Sequence, residues 1–266
     1  MSITLSDIPF ATVDGQALSL DLYLPDTPHG LRPLIVWIHG GAWLFGDKAH
    51  CPEVIAGMTA SGYAVASINY RFSTQAIFPA QLEDCKAAVR FVRAHAEEYQ
   101  LDPAHIGAAG DSAGGHLAAM LGVSGATSTF DRGKYLDYPS AVQAVADFFG
   151  PADLPNMHFA ESQMQHNAPD SPESQLIGGT LPECPELARA ASPMHYVHSD
   201  CPPFFIIHGD CDTLVSVQQS VTLHQALIAA GVEATLRIVP GAGHDFNGVN
   251  DQGLLEAFFD KHLKQG

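Results

Sequence analysis

Ile106-Gly107-Ala108-Ala109-Gly110-Asp111-Ser112-Ala113-Gly114-Gly115-His116-Leu117 is the stretch that decides the fold. Its first residues are a short apolar run of the kind a strand buried on both faces requires. Leu117, Met120 and Leu121 then recur at helical spacing. Between strand and helix lies G-x-S-x-G, Gly110 to Gly114. A serine in that setting sits on a strained, tight turn, so its hydroxyl projects clear of the sheet. Side chains at 110 and 114 would collide with the neighbouring strand and helix. The N-terminus of the following helix favours negative charge developing nearby. Ser112 is therefore the candidate nucleophile.

Outward from this turn, the chain alternates strands and helices. Residues 3–24 alternate weakly around Asp14-Gly15 and predict an N-terminal β-hairpin. Continuous apolar runs at Leu34–Ile38, Tyr63–Ile68, Val142–Phe149, Phe204–Ile207 and Ala234–Val239 predict further buried strands. Pro79 to Tyr99 is a helix by pattern: Leu82, Cys85, Val89, Val92, Ala96 and Tyr99 share one face. On that face Cys85 reads as a small buried hydrophobe. Val217–Ala230 and Gln252–Leu263 also read as helices. The fold class is α/β, with a mainly parallel central sheet flanked by helices. Residues 1–266 are expected to form a single domain, since no repeat or linker interrupts them. Asp153 to Gly179 stands apart: rich in polar residues and Pro, with little periodicity, it reads as a lid or wall over a site, or as a surface excursion.

A serine hydroxyl needs a base. Among 14 histidines, His244 is best placed. It lies in the Gly-rich turn Gly241-Ala242-Gly243-His244 after the last strand, at the sheet edge where open α/β folds keep their sites. The base needs a carboxylate to fix its tautomer. The strand before ends in His208-Gly209-Asp210-Cys211-Asp212, and either aspartate is in reach. Asp212, just ahead of the next helix, is favoured. The first buried strand ends in His39-Gly40-Gly41-Ala42-Trp43. Glycines there let backbone amides approach a ligand. The amides of Gly41, Ala42 and Ala113 are the candidate oxyanion donors. His39 is expected to brace this loop and His116 to pack beneath the turn. Trp43 and Asp111 are candidate substrate-binding residues; Trp43, Phe45 and Tyr70 suit either an acyl pocket or the core.

Composition bounds the reading. The 266 residues are 46% hydrophobic, enough for a substantial core, and carry a net charge of −17. That charge disfavours nucleic acid and anionic membranes as partners. No apolar stretch of about 18 residues predicts a membrane span. The N-terminus lacks a signal-peptide pattern, so a cytoplasmic protein is expected; a secreted chain with its signal peptide removed would read the same. Cys51, Cys85, Cys184, Cys201 and Cys211 are scattered and form no CxxC pair, which indicates neither a disulfide framework nor a zinc ribbon. His195 and His198 lack companions for a metal shell. No metal or cofactor is called for.

The pieces HGGAW (39–43), NYR (69–71), GDSAGGHLA (110–118), SPE (171–173), HGDCDTLV (208–215) and GAGHDF (241–246) occur in the order found in α/β-hydrolase carboxylesterases. The chain resembles the hormone-sensitive-lipase-like esterases, and more closely the small feruloyl- and acetyl-esterase-like branch. The resemblance implies a Ser112–His244–Asp212 triad, an oxyanion hole at Gly41, Ala42 and Ala113, no cofactor, and a small-molecule ester substrate. Two features depart from the pattern. Ala42 stands where the HGGG form has its third glycine, which leaves the amide intact. Only about 30 residues precede the first core strand, so no large N-terminal cap is expected. Kynurenine formamidases share the HGG-x-W loop, which makes amide hydrolysis the alternative chemistry. A non-catalytic receptor on the same fold is disfavoured because all three triad positions are filled. The sequence is compatible with a homo-oligomer.

Overall fold

β1 (Ile3–Val13) and β2 (Gln16–Leu24) pair antiparallel, as the hairpin pattern predicts. Asp14 (φ 50°) and Gly15 (φ 80°) turn the chain with two positive-φ residues, the geometry that matches strand twist. The computed structural model describes residues 3–26, 30–50, 52–157, 162–245 and 252–264. Cys51, Phe246 and residues 158–161 of the 153–179 segment therefore lie outside the described residues.

Each apolar run is a strand: β3 (Arg32–Ile38), β4 (Ala64–Ile68), β5 (Leu101–Asp111), β6 (Ala144–Phe148), β7 (Phe204–Gly209) and β8 (Ala234–Val239). They join the hairpin in one eight-stranded sheet of order β1-β2-β4-β3-β5-β6-β7-β8. Every pair among β3 to β8 is parallel, whereas β2 runs antiparallel to β4. The helices are α1 (Pro52–Ala60), α2 (Ala80–Ala94), α3 (Ala96–Tyr99), α4 (Ala113–Val123), α5 (Pro172–Ile177), α6 (Pro185–Ala190), α7 (Val217–Ala229) and α8 (Gln252–Leu263). The helix expected over Pro79–Tyr99 is thus two. At the break, the His95 amide and ring Nδ1 both contact the Phe91 carbonyl, at 3.0 and 2.9 Å.

Burial on both faces explains the unbroken apolar strands. Leu34, Val36 and Ile38 of β3 point into a core shared with Leu82 and Cys85 of α2 and Leu117 of α4. Ile35 and Trp37 point the other way, into a core shared with Met58 of α1 and Phe259 of α8. Cys85 is fully buried, and burial pushes its thiol pKa up, so it behaves as a small hydrophobe. The four described cysteines are free.

Two features position the site. β3 lies between β4 and β5, so the chain leaves β3 towards one neighbour and returns to the other. That reversal opens a crevice at the carboxyl ends of β3 and β5, where ligands bind in open α/β sheets. The described part of the 153–179 segment is packed down: Leu154, Met157, Leu176 and Ile177 join the larger core. Among the described residues, no helix is long and apolar enough to cross a membrane.

Candidate active site

Ser112 follows β5 directly and caps α4 with φ 53° and ψ −118°. Such a backbone costs about 1–3 kcal/mol in a residue with a Cβ. The Ser112 amide donates to the Phe148 carbonyl of β6 at 2.8 Å, which helps hold the turn. The flanking glycines are required by close approach. A Cβ on Gly114 would lie 2.0 Å from the Ile38 carbonyl oxygen, and one on Gly110 would lie 2.5 Å from the same atom. α4 therefore sits directly against β3, and its first turn faces the crevice.

Folding brings three distant side chains together at this turn. His244 Nε2 is 2.8 Å from Ser112 Oγ, and His244 Nδ1 is 2.6 Å from Asp212 Oδ2. The carboxylate can only accept, so Nδ1 carries the proton and Nε2 is left to accept from the serine hydroxyl. Asp212 Oδ1 accepts the amides of Leu214 and Val215 at 2.8 and 2.9 Å. Burial alone would raise the Asp212 carboxyl. The donors from His208 and His244, the His244 charge and the Val215 amide outweigh it and hold the group well below the usual carboxylate range. Asp210, the other aspartate in reach by sequence, instead accepts the Gly241 amide at 2.6 Å and so supports the turn that carries His244. The Phe149 ring backs the His244 imidazole, with centroids 4.7 Å apart.

The 39–43 loop lies across from this chain. Gly41 takes φ 110°, and a Cβ there would meet the Phe45 carbonyl oxygen at 2.0 Å, so no side chain fits. Ala42 and Trp43 follow with φ 54° and 58°. Their neighbours hold this conformation. His39 is buried and its Nδ1 contacts the Gly40 carbonyl at 2.6 Å, the bracing role expected of it. Tyr70 stacks on His39 and donates to its carbonyl at 3.0 Å. Asp111 Oδ1 accepts the Gly40 amide at 2.9 Å, which ties the loop to the end of β5. Trp43 donates through Nε1 to His116 Nδ1 at 3.2 Å. Trp43 and Asp111 are 2% and 6% exposed, so the two candidate substrate-binding side chains face inward and grip the loop. Among the described residues, no hydrogen-bond partner within the chain engages the amides of Gly41, Ala42 or Ala113.

One contributor carries no sequence signal of its own. His208 reaches Asp212 Oδ2 through Nε2 at 3.1 Å, yet its position only closes a strand and carries no pattern of its own. The 162–173 segment docks on the loop after Asp212: the Gln163 amide donates to Thr213 O at 2.8 Å and Ser162 Oγ to Leu214 O at 3.3 Å. His166, buried under this segment, bridges Ser162 and Glu173 at 2.7 and 3.0 Å. The SPE motif thus supplies the helix cap Ser171 and the His166 partner Glu173. His195 lies 3.8 Å from Asp153, and among the described residues no group of three His, Cys, Asp or Glu side chains is placed to hold a metal ion.

Sheet order, elbow and carboxyl-edge loops together define an α/β-hydrolase. The chain belongs to the BD-FAE family, whose profile matches residues 20–227. Esterase LipQ of Mycobacterium tuberculosis is 36% identical over 247 residues, covering 91% of this chain and 57% of that protein. The chain spans about half the length of the curated relatives it matches, at 57%, 58% and 48%. A truncated carbohydrate esterase from gut microbiota superposes with TM-score 0.88 at 34% identity, over 99% of this chain and 97% of that one. Esterase 2 of Thermogutta terrifontis, phosphonylated by sarin, superposes with TM-score 0.82 at 25% identity, over 99% and 97% of the two chains.

Proposed function

We propose that the protein is a serine carboxylester hydrolase for short-chain or aromatic acyl esters. The observation that carries this reading is the unbroken hydrogen-bond chain from Ser112 Oγ through His244 to Asp212. His244 Nε2 takes the hydroxyl proton as Ser112 Oγ attacks the ester carbonyl. The charge that develops on the carbonyl oxygen is held by the amides of Gly41, Ala42 and Ala113, each worth about 10²–10³ in rate. Asp212 stays ionised and stabilises the imidazolium. The imidazolium then gives its proton to the leaving alcohol. Water, activated by the same imidazole, attacks the acyl-enzyme and releases the acid. Trp43 and Asp111 serve the substrate through the loop they hold. The relatives support this chemistry: one is named an esterase, one a carbohydrate esterase, and one is phosphonylated by sarin. An acetylated or aromatic-acylated sugar is the substrate class that fits the second of these. The reading takes residues 1–266 as one catalytic unit, acting in the cytoplasm on a small ester.

Hydrolysis of p-nitrophenyl acetate and butyrate by the wild type and by Ser112→Ala tests the proposal. The variant is expected to lose about 10³-fold or more in kcat, together with labelling by a fluorophosphonate probe. Undiminished turnover would overturn the assignment. N-formylkynurenine in the same panel separates ester from formamide cleavage.

A further inference from the structure

Asp212 is gripped more tightly than a triad carboxylate needs merely to meet His244. A carboxylate offers about four lone-pair sites. Two on Oδ1 accept Leu214 and Val215 amides, and one on Oδ2 accepts His208 Nε2 at 3.1 Å. The single site left is the one His244 Nδ1 occupies at 2.6 Å. We infer that His208 is a positioning residue for the hydrolysis: it fixes the Asp212 carboxylate so that only one acceptor direction remains, the one pointing at His244.

The environment of His208 fits that task. It is fully buried at the end of β7. Its Nε2 faces two acceptors, Asp212 Oδ2 and the Val215 carbonyl at 2.9 Å, so that nitrogen carries the proton. Its Nδ1 lies 2.7 Å from Ser220 Oγ of α7, which orients the ring. Val215 donates its amide to Asp212 and accepts from His208, so ring, peptide and carboxylate form one closed unit. The titratable groups facing this unit are Asp147 on β6 and His244 from the loop after β8. The Phe149 ring lies edge-on to His208 and also against His244, and covers one side of each imidazole. Withdrawing the His208 donor would leave more charge on Oδ2 and let the carboxylate rotate. Orientation of His244 would suffer, and its protonated form would be held more strongly.

The inference rests on the esterase reading, and the test keeps the two apart. Wild type, His208→Gln, His208→Leu, Ser220→Ala and Ser112→Ala are compared on p-nitrophenyl butyrate across pH, with circular dichroism as the check of fold. His208→Leu is expected to lower kcat about 10- to 100-fold with KM little changed, the range for withdrawing a hydrogen bond to a charged group. Its acid limb of kcat/KM moves to higher pH. His208→Gln, whose amide nitrogen can replace the Nε2 donor, is expected to stay within about threefold of wild type. Ser220→Ala, which frees the ring, gives an intermediate loss of about three- to tenfold and keeps the readout available if the leucine variant does not fold. Three results would each overturn the inference: a folded His208→Leu with wild-type kcat and an unmoved acid limb, a glutamine variant as impaired as the leucine one, or an unaffected Ser220→Ala. Turnover surviving in Ser112→Ala would instead remove the esterase reading itself.

Discussion

Trp43 Nε1 donates to His116 Nδ1 at 3.2 Å, with the two rings crossing edge-on at 87°. The bond fastens the 39–43 loop to the first turn of α4, one helical turn beyond Ser112. His116 is anchored in turn by the Ala191 carbonyl, 2.7 Å from Nε2. Burial pushes the imidazole down to about 4, so at neutral pH it is uncharged and Nδ1 remains an acceptor. Trp43→Phe keeps the aromatic bulk and removes the donor. It is expected to cost about 1–3 kcal/mol of stability in urea denaturation and to lower kcat about tenfold, with KM nearly unchanged. Lost stability at full kcat would mean that the indole serves folding alone.

Gly114→Ala is expected to be far more damaging than its one added methyl suggests. The Cβ would press to 2.0 Å from the Ile38 carbonyl oxygen and 2.7 Å from that of His39, both backbone atoms that cannot swing away. α4 would have to retreat from β3, taking the Ser112 turn with it. A loss of about 3 kcal/mol or more is expected in thermal or urea denaturation, with fluorophosphonate labelling abolished. Gly253→Ala near the start of α8 is the control. Nothing lies within 4 Å of a Cβ there, and helix propensity alone should add up to about 1 kcal/mol.

The sheet was legible because strands buried on both faces must be apolar throughout, and Leu34–Ile38 or Phe204–Ile207 can hardly be anything else. Ser112, His244 and Asp212 were legible as a cluster because each follows a strand in a glycine-bearing turn. The polar face of α2 was not. Lys86 and Arg90 look like a solvated face but are fully buried. Lys86 Nζ caps the carbonyls of Ser124 and Thr127, and Arg90 binds Asp131 and the Arg132 and Lys134 carbonyls. Those partners come from a segment 38 to 44 residues away with no periodicity to announce it. α1 was missed for a related reason: only one side of a short helix meets the sheet, through Ile55 and Met58. His208 escaped notice because its partners Asp212, Val215 and Ser220 converge only through the turn into α7.

Two buried groups make opposite contributions to stability over one pH range. Burial pushes the Asp147 carboxyl up from 3.8 to about 6. The folded protein therefore holds a proton there that the unfolded chain has released, and stability falls as pH rises from about 4 to 6. Burial pushes His116 down from 6.5 to about 4. Here the unfolded chain holds the extra proton, and stability rises over about pH 4 to 6.5. Each slope amounts to about 3 kcal/mol, so together they nearly cancel. Asp147→Asn keeps the acceptor for the Gly150 amide, which Oδ1 receives at 2.9 Å, and removes the titration. Its unfolding free energy is expected to climb by about 3 kcal/mol between about pH 4 and 6.5, while the wild type changes little. Urea denaturation at a series of pH values checks this; parallel curves for the two proteins would sink it.

Phe45 is the side chain through which the substrate class should become measurable. It is 63% exposed, unusual for a phenyl group. Its Cδ2 would lie 3.2 Å from a Cβ on Gly41, and its amide donates to the Gly41 carbonyl at 3.1 Å. The ring therefore stands beside one of the amides proposed to hold the oxyanion, on the solvent side. An open aromatic face there suits an aryl or sugar ring carried by the acyl or alcohol part of an ester. Phe45→Ala is expected to raise KM for phenyl acetate or methyl ferulate about five- to tenfold, since an aromatic pair adds about 0.5–1.5 kcal/mol beyond its buried area. KM for methyl acetate, which has nothing to lay against the ring, should stay level, and stability should change by less than about 0.5 kcal/mol because little packing is lost. Equal losses on all three esters would mean that the ring supports the loop instead of the substrate, and no loss on any would place the bound ester elsewhere.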